Sequence, residues 1–225
     1  MILSSSKDKI YNLLIMEEFW EKSFRINKEM WGWEPTLSAI NTLSLFNKKG
    51  FKKILIPGFG YGRNAKLFID SGFDVTGIEI SASAIELAQK HFKDSVKIYR
   101  GSVIDMPFEE VLYDGIYCYS LLHLLNAKDR VKLIENCYNQ LAPGGYMVFV
   151  TISKHHYKYE VGEVVEKDSL IMPYGVTLYF YDNASILRDF GPYGLIDSAL
   201  IDEPKTSDFD EPKRGFWCVT CKKDV

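Results

Sequence analysis

Short continuous apolar runs alternate with helically spaced apolar positions along the middle of the chain. Ile54-Leu55-Ile56 is a continuous run and reads as a buried strand. Ala65, Phe68, Ile69 and Gly72 follow at i, i+3, i+4 and i+7, the spacing of a helix, and Ser71-Gly72 reads as its C-terminal cap. A strand is predicted over 74–80. The helix predicted over 81–92 carries Ser83 and Glu86 as a capping box, with Ile85, Ala88 and Phe92 inward. Further strands are predicted over 96–100 and 115–119. A helix over 128–141 places Val131, Ile134, Tyr138 and Leu141 inward, Pro143-Gly144-Gly145 ends it, and a strand follows over 146–152. Strands alternating with helices imply a parallel sheet with right-handed crossovers.

Both flanks depart from that alternation. Residues 10–26 read as an amphipathic helix with Leu13, Met16, Trp20 and Phe24 near helical spacing. An aromatic-rich loop over 28–35 and a second helix over 36–46 lead into the first strand. No strand is predicted before Ile54, so residues 1–50 form an addition in front of the core. Its aromatics either seal the core edge or close over a ligand as a helical lid. Residues 153–181 are polar and aromatic, with an extended piece at 175–181. Asn183 caps a helix to Phe190, which Gly191-Pro192 stops. Strands over 195–201 and 215–222, joined by a charged loop over 202–214, make a closing hairpin, so one strand runs antiparallel. The expected fold is α/β: a doubly wound, seven-stranded, Rossmann-like sheet, mostly parallel, with an antiparallel C-terminal hairpin strand and an N-terminal helical lid. One domain is expected over 1–225, comprising a lid segment (1–50), a ligand-binding half (51–152) and a substrate-side insert with closing strands (153–225).

Composition narrows the partners. At 225 residues the chain has the length of one ordinary domain. A net charge of −3 gives no polyanion signal, so neither nucleic acid nor anionic membrane is favoured. No apolar run reaches membrane-spanning length, and the first residues lack a secretory pattern, so a cytoplasmic location is expected. Cys218 and Cys221 resemble a C-x-x-C pair, but residues three apart on a strand point to opposite faces. With Cys118 and Cys137 they read as reduced core thiols, and no metal site is expected.

The chemistry gathers after the first strand. Gly58, Gly60 and Gly62 alternate there, where glycine lets backbone approach a ligand, and the helix start beyond them offers free N–H groups. A dinucleotide fingerprint is G-x-G-x-x-G, and Arg63 stands where its third glycine belongs. Glu79, at the end of the next predicted strand, lies about 20 residues past the first glycine, where a carboxylate can accept bonds from a ribose. This pairing resembles the class I S-adenosylmethionine (AdoMet) dependent methyltransferases, whose first motif is a strand followed by G-x-G-x-G. Tyr113-Asp114-Gly115-Ile116 leading to Leu121-Leu122-His123 resembles that family's fourth strand. Leu141-Ala142-Pro143-Gly144-Gly145 resembles its turn before strand five. Ile56-Pro57-Gly58, Trp20-Glu21-Lys22, Trp31-Gly32-Trp33-Glu34-Pro35 and Gly62-Arg63-Asn64 resemble the thiopurine, thiol/halide and tellurite-resistance branches.

The resemblance implies AdoMet as cofactor, S-adenosylhomocysteine (AdoHcy) as product and a small-molecule acceptor. It implies Gly58, Phe59, Gly60, Gly62, Arg63 and Asn64 around the methionine part, and Glu79, Ile80 and Ser81 around the ribose and adenine. Ser102 and Val103 fall at the adenine edge, with Asp105 either substituting there or capping its turn. Ser120 falls beside the sulfonium, and Trp33 over the cofactor. Methyl transfer needs positioning above all, and a base only when the acceptor must lose a proton. His123 either serves as that base or hydrogen-bonds at the start of the next helix. Tyr119 is a second catalytic candidate, and Trp31, His155, Tyr157 and Tyr179 are acceptor-pocket candidates. His156 and Tyr181 fall in the same regions. A monomer or homodimer is expected. The rivals are a NAD-linked oxidoreductase and a cofactor-binding regulatory module.

Overall fold

The computed structural model describes residues 6–203 and 214–225, with side chains from Glu17 onward. The expectations for Leu13 and Met16, and for most of the charged loop before the last strand, lie outside the described residues. Strands β1 (Lys53–Pro57), β2 (Asp74–Glu79), β3 (Lys97–Arg100), β4 (Tyr113–Tyr119) and β5 (Leu141–Ile152) run parallel. A second, three-stranded sheet comprises β6 (Glu163–Glu166), β7 (Ser169–Ile171) and β8 (Thr177–Tyr179). The main sheet closes with β9 (Leu195–Asp202) and β10 (Gly215–Lys222), in the order β3-β2-β1-β4-β5-β10-β9. Strand β10 is antiparallel to both neighbours, as the closing hairpin requires.

Ile54, Leu55 and Ile56 are all buried because β1 sits mid-sheet with helices on both faces. One face holds Phe46 of α2 (Leu37–Lys49), Phe68 of α3 (Arg63–Asp70) and Phe92 of α4 (Ala82–Phe92) against Ile54 and Ile56. The other holds Leu133, Ile134 and Cys137 of α5 (Ala127–Gln140) and Ile186 and Phe190 of α6 (Asn183–Phe190) against Leu55, Ile116 and Phe149. The first helix, α1 (Ser6–Asn27), joins a separate small cluster through Phe24, Tyr61 and Ala84. All four cysteines are free thiols, and Cys218 and Cys221 fall in the clusters of opposite faces.

Several local expectations are corrected. Helix α4 is capped two residues earlier than the Ser83 capping box: Ser81 Oγ accepts from the Ala84 N–H at 3.1 Å. Helix α6 is capped by Asp182, which pairs reciprocally with Ser185, and Asn183 is its first residue. The 3-10 turn at Val103–Asp105 is capped by Ser102 rather than Asp105. Helix α3 ends at Asp70 with Ser71 as its C-cap and Gly72 beyond it at φ +83°, so Ser71-Gly72 closes the helix as expected and only the counting of Gly72 among its helical positions is corrected. The buried stripe of α5 is Arg130, Leu133, Ile134, Cys137 and Gln140, not one through Val131, which is exposed. Helix α5 ends at Gln140, so Pro143-Gly144-Gly145 lies inside the irregular start of β5 instead of stopping the helix. The sheet β6–β8 went unread, apart from the extended piece, because strands of three or four residues are too short to display a period. Among the described residues no His, Cys, Asp and Glu group is arranged for a metal ion, and no helix is long and apolar enough to cross a membrane.

Candidate active site

Three left-handed glycines carry the chain from β1 into α3: Gly58 at φ +70°, Gly60 at +59° and Gly62 at +92°. Their side-chain space differs. A Cβ on Gly62 would stand 2.4 Å from Phe92 Cε2 and 2.8 Å from Phe59 Cε1, and one on Gly58 would meet Leu121 Cδ2 at 3.0 Å. At Gly60 the nearest atom is Phe24 Cζ at 3.7 Å. Gly58 and Gly62 therefore have a packing reason of their own within the protein, and Gly60 is the open one. Side chains cap α2 (Thr36), α4 (Ser81), α5 (Asn126) and α6 (Asp182), whereas α3 starts at Gly62 with none. That start keeps unsatisfied N–H groups and the positive end of the helix dipole, with Arg63 as first residue.

Across the turn lies Glu79, 6% exposed. Its Oε1 accepts from the N–H groups of Ile80 (2.8 Å) and Ser81 (2.9 Å), and its Oε2 from Gly60 (2.7 Å). Burial raises its pKa, and the three backbone donors oppose that rise. A carboxylate has about four acceptor positions, so roughly one remains, on Oε2. That suits one hydroxyl directly. Accepting both ribose hydroxyls would require a backbone donor to let go.

Helix α1 crosses the carboxyl ends of the strands. Glu17 pairs with Arg100 at the end of β3 (3.7 Å), Glu21 reaches Ser81 and Ser83 after β2, and Phe24 covers Gly60 after β1. These residues recur every turn on one stripe. Tyr61 fixes the following loop, its hydroxyl donating to Gly32 O (2.7 Å) and accepting from the Trp31 N–H (3.1 Å). The half-exposed Trp31 stacks on Tyr61, and Trp33 stacks on His91 near the end of α4 at 4.0 Å. Trp33 also meets the Tyr61 ring edge-on at 5.2 Å, so it packs between the glycine turn and α4. Asn64 is occupied too, its Oδ1 accepting from Thr36 N (3.0 Å), so it docks the start of α2. The Phe59 ring is buried against Gly77 and Phe92, leaving its backbone to face the turn.

After β4, Ser120 adopts φ +54° and donates its N–H to Val150 O (2.8 Å). Tyr119 is largely enclosed, with the Arg63 guanidinium 5.7 Å from its ring. Burial, then the charge of Glu203, pushes its hydroxyl up to about 12. His123 is buried, its Nδ1 lying 3.3 Å from both the Ile152 N–H and Thr151 Oγ1. Burial, helped by His156 and Lys158, lowers its pKa to about 3. After β5, His155 is exposed, while His156 turns inward, stacking on Tyr157 and meeting the edge of Phe216. Ser102 sits over its 3-10 turn, and the buried Val103 is tied to α5 by Asn136 Nδ2, which donates to Val103 O (3.3 Å). Ile80 is half-buried beside Glu79. Tyr179 and Tyr181 belong to the α5–α6 face: the Arg130 guanidinium lies 3.6 Å from the Tyr179 ring, and Arg188 donates to its hydroxyl. The structure does not bring these two tyrosines to the glycine turn.

Glu203, Phe24 and Tyr61 were not anticipated at this end of the sheet. Glu203, 1% exposed, accepts from the Ser38 N–H (2.5 Å) and hydroxyl (2.6 Å), closing a network through Tyr117 and Thr36. Its position at the edge of a charged loop masks it in the sequence, because nothing local marks it as buried.

Residues 55–149 match the family model described as a methyltransferase domain. A ubiquinone biosynthesis O-methyltransferase of Pectobacterium atrosepticum is 29% identical over 113 residues, covering 46% of this chain and 44% of the relative. A tRNA N(3)-methylcytidine methyltransferase of Drosophila melanogaster is 26% identical over 137 residues, covering 56% and 42% respectively. The chain thus spans less than half the length of either relative. The crystal structure of a Burkholderia thailandensis 1,6-didemethyltoxoflavin-N1-methyltransferase, bound to its substrate and AdoHcy, superposes with a TM-score of 0.72. That match has 14% identity and covers all of this chain and 93% of that one. The fold is therefore the Rossmann-like one that this methyltransferase also adopts.

Proposed function

We propose that this chain, with its methyltransferase domain at 55–149, is an AdoMet-dependent methyltransferase acting on a small-molecule acceptor. One pairing carries the reading. The start of α3 is left uncapped with Arg63 as its first residue, and the buried Glu79 carboxylate stands on the other side of the Gly60 N–H. An uncapped helix start beside an arginine suits a carboxylate, and a carboxylate at the end of β2 suits a ribose hydroxyl. AdoMet presents a carboxylate and a ribose diol, so the residues fit it. When bound, it supplies a methyl group on a positively charged sulfur.

The chain's own residues do the rest. Gly60, Arg63 and the start of α3 hold the methionine end, Glu79 orients the ribose, and Ile80 and Val103 flank the adenine. The Ser120 backbone lies beside the sulfur. Tyr119 keeps its proton at neutral pH and acts as a wall. His123 is neutral at pH 7, and with Nδ1 turned to the Ile152 N–H it positions the segment after β4 instead of taking a proton. Without a poised base, the site favours acceptors whose lone pair attacks directly, such as soft or heterocyclic atoms. This agrees with the thiopurine, thiol/halide and tellurite-resistance branches that the motifs resemble. His156, Tyr157 and Phe216 offer an aromatic wall for such an acceptor.

Thermal unfolding with AdoMet, AdoHcy and NAD in large excess tests the cofactor. A ligand at about 100 times its Kd adds roughly 2.7 kcal/mol, a rise of about 5–10 °C for this size. The expected result is a rise with both adenosyl ligands and none with NAD. No rise with either adenosyl ligand, on folded protein, rejects the reading.

A further inference from the structure

Glu21 reaches across the sequence to the start of α4. Its carboxylate accepts from the Ser81 hydroxyl (2.8 Å), the Ser83 N–H (3.0 Å) and the Ser83 hydroxyl (2.5 Å). Those bonds lower its pKa, the Ser83 hydroxyl contributing most. An anion at a helix N-terminus is favoured by the dipole as well as by the free N–H groups.

Ser81 joins this carboxylate to the candidate ribose site. Its N–H donates to Glu79 Oε1 at 2.9 Å while its hydroxyl donates to Glu21 Oε2 at 2.8 Å. Ser81 is fully buried and its bond to Glu79 is made away from water, where losing a partner is costly, while its bond to the partly exposed Glu21 is half-buried. One turn further along α1, Phe24 closes over Gly60, whose N–H is held by the other oxygen of Glu79. Two contacts of α1 therefore converge on the two ends of one carboxylate, one through Ser81 and one at Gly60. One ribose hydroxyl fills the acceptor position left on Glu79 Oε2, beside the Gly60 bond, and a second displaces one of the backbone donors there; Gly60 and Ser81, two of those donors, also meet α1.

We infer that Glu21 is a cofactor-positioning residue that couples the seating of α1 to occupancy of the adenosyl site. The inference rests on the adenosyl reading of Glu79. When α1 is seated, Glu21 holds Ser81 and Ser83, Ser81 holds Glu79 in its ribose-facing orientation, and Phe24 encloses the bound molecule. Without the Glu21 carboxylate, α4 keeps its Ser81 cap but α1 loses its bonds to α4 and keeps the more exposed Glu17–Arg100 pair, and the ligand meets a loosened cover.

The test measures AdoHcy affinity by calorimetry and amide hydrogen exchange over residues 17–27, with and without AdoHcy, in wild type, Glu21→Ala, Ser83→Ala and the double variant. In wild type, AdoHcy slows exchange across 17–27. Glu21→Ala weakens AdoHcy by about tenfold, as expected for removing bonds to a charged group, and abolishes the slowing. Ser83→Ala moves both readouts the same way. The double variant is no worse than Glu21→Ala, because the two residues form one interaction. A Glu21→Ala protein that unfolds earlier but keeps wild-type AdoHcy affinity makes Glu21 a structural cap and overturns the inference. So does weakened affinity with the slowing intact. If wild type itself binds no AdoHcy, the adenosyl reading falls first and the coupling falls with it. Should Glu21→Ala fail to fold, Ser83→Ala decides between coupling and capping by the same two readouts.

Discussion

Alanine at Gly60 and alanine at Gly62 should separate ligand binding from folding, although the glycines are two residues apart in one turn. Both are left-handed, and that conformation costs an alanine about 1–2 kcal/mol. At Gly62 the new methyl also meets Phe92 at 2.4 Å and Phe59 at 2.8 Å, two buried rings with no room to retreat. Overpacking of that kind adds about 1–3 kcal/mol. Gly62→Ala should therefore lose about 2–5 kcal/mol, and at about 2–4 °C per kcal/mol for this size its midpoint should fall by roughly 4–20 °C. At Gly60 the nearest neighbour is Phe24 at an ordinary 3.7 Å, so only the conformational cost applies. Its midpoint should fall by about 2–8 °C. Gly60 also donates its N–H to Glu79, and on the proposed reading a methyl there would crowd the ligand. AdoHcy affinity in Gly60→Ala should weaken by more than tenfold, whereas folded Gly62→Ala should bind within a few-fold of wild type. Differential scanning fluorimetry and calorimetry on the same samples decide it. Equal losses of stability, or an unchanged Kd in Gly60→Ala, would refute the division of roles drawn from the side-chain space.

Three further outcomes follow from the same contacts. His123→Gln should lower the unfolding midpoint yet leave kcat within a few-fold of wild type once an acceptor is found; a loss of about a thousandfold, or of an activity limb near pH 6–7, would make His123 a base. Because its folded pKa is depressed to about 3, the unfolded chain binds the extra proton, so stability is full above about pH 6.5 and falls as pH drops toward 3. Part of that fall should vanish in His123→Gln, while His156, which burial lowers to about 4, contributes another part. The Glu109 carboxyl, held down to about 2 by bonds from Lys97, Tyr113 and Tyr99, contributes stability above about pH 4.3 that is lost as pH falls to 2. The stability gap between wild type and Glu109→Gln, followed by circular dichroism, should close across that window. All four thiols should resist a thiol reagent in the native protein at pH 8, because burial raises every one, Cys218 and Cys221 to about 12; rapid labelling of any thiol would contradict the packing.

What could be read ahead of the structure and what could not divide along contact range. Ile54-Leu55-Ile56, the glycine alternation and Glu79 are local signals, and each stands where its spacing predicted, because strand, turn and strand end are set within a few residues. Cys218 and Cys221 likewise followed from the two-residue period of a strand. Cap positions slipped by one to two residues at α4 and α6, since Ser81, Ser83, Asp182 and Asn183 are all competent capping residues and only the tertiary path of the chain chooses between them. The missed parts of the candidate site are long-range. Glu21 bonds Ser83 across 62 positions and Glu203 bonds Ser38 across 165, and neither pair leaves a periodic trace. Resemblance alone places Trp33 over the cofactor, and its packing between Tyr61 of the glycine turn (5.2 Å) and His91 of α4 (4.0 Å) is likewise a long-range outcome with no local trace. The residue that covers Gly60 is Phe24, one of the helically spaced apolar positions of an N-terminal segment whose aromatics the sequence leaves open between sealing the core edge and closing over a ligand. A helix face that is apolar for packing and a helix face that closes a site are the same pattern in a sequence. What distinguishes them here is that the surface beneath Phe24 is a glycine with room above it and a buried carboxylate on its N–H.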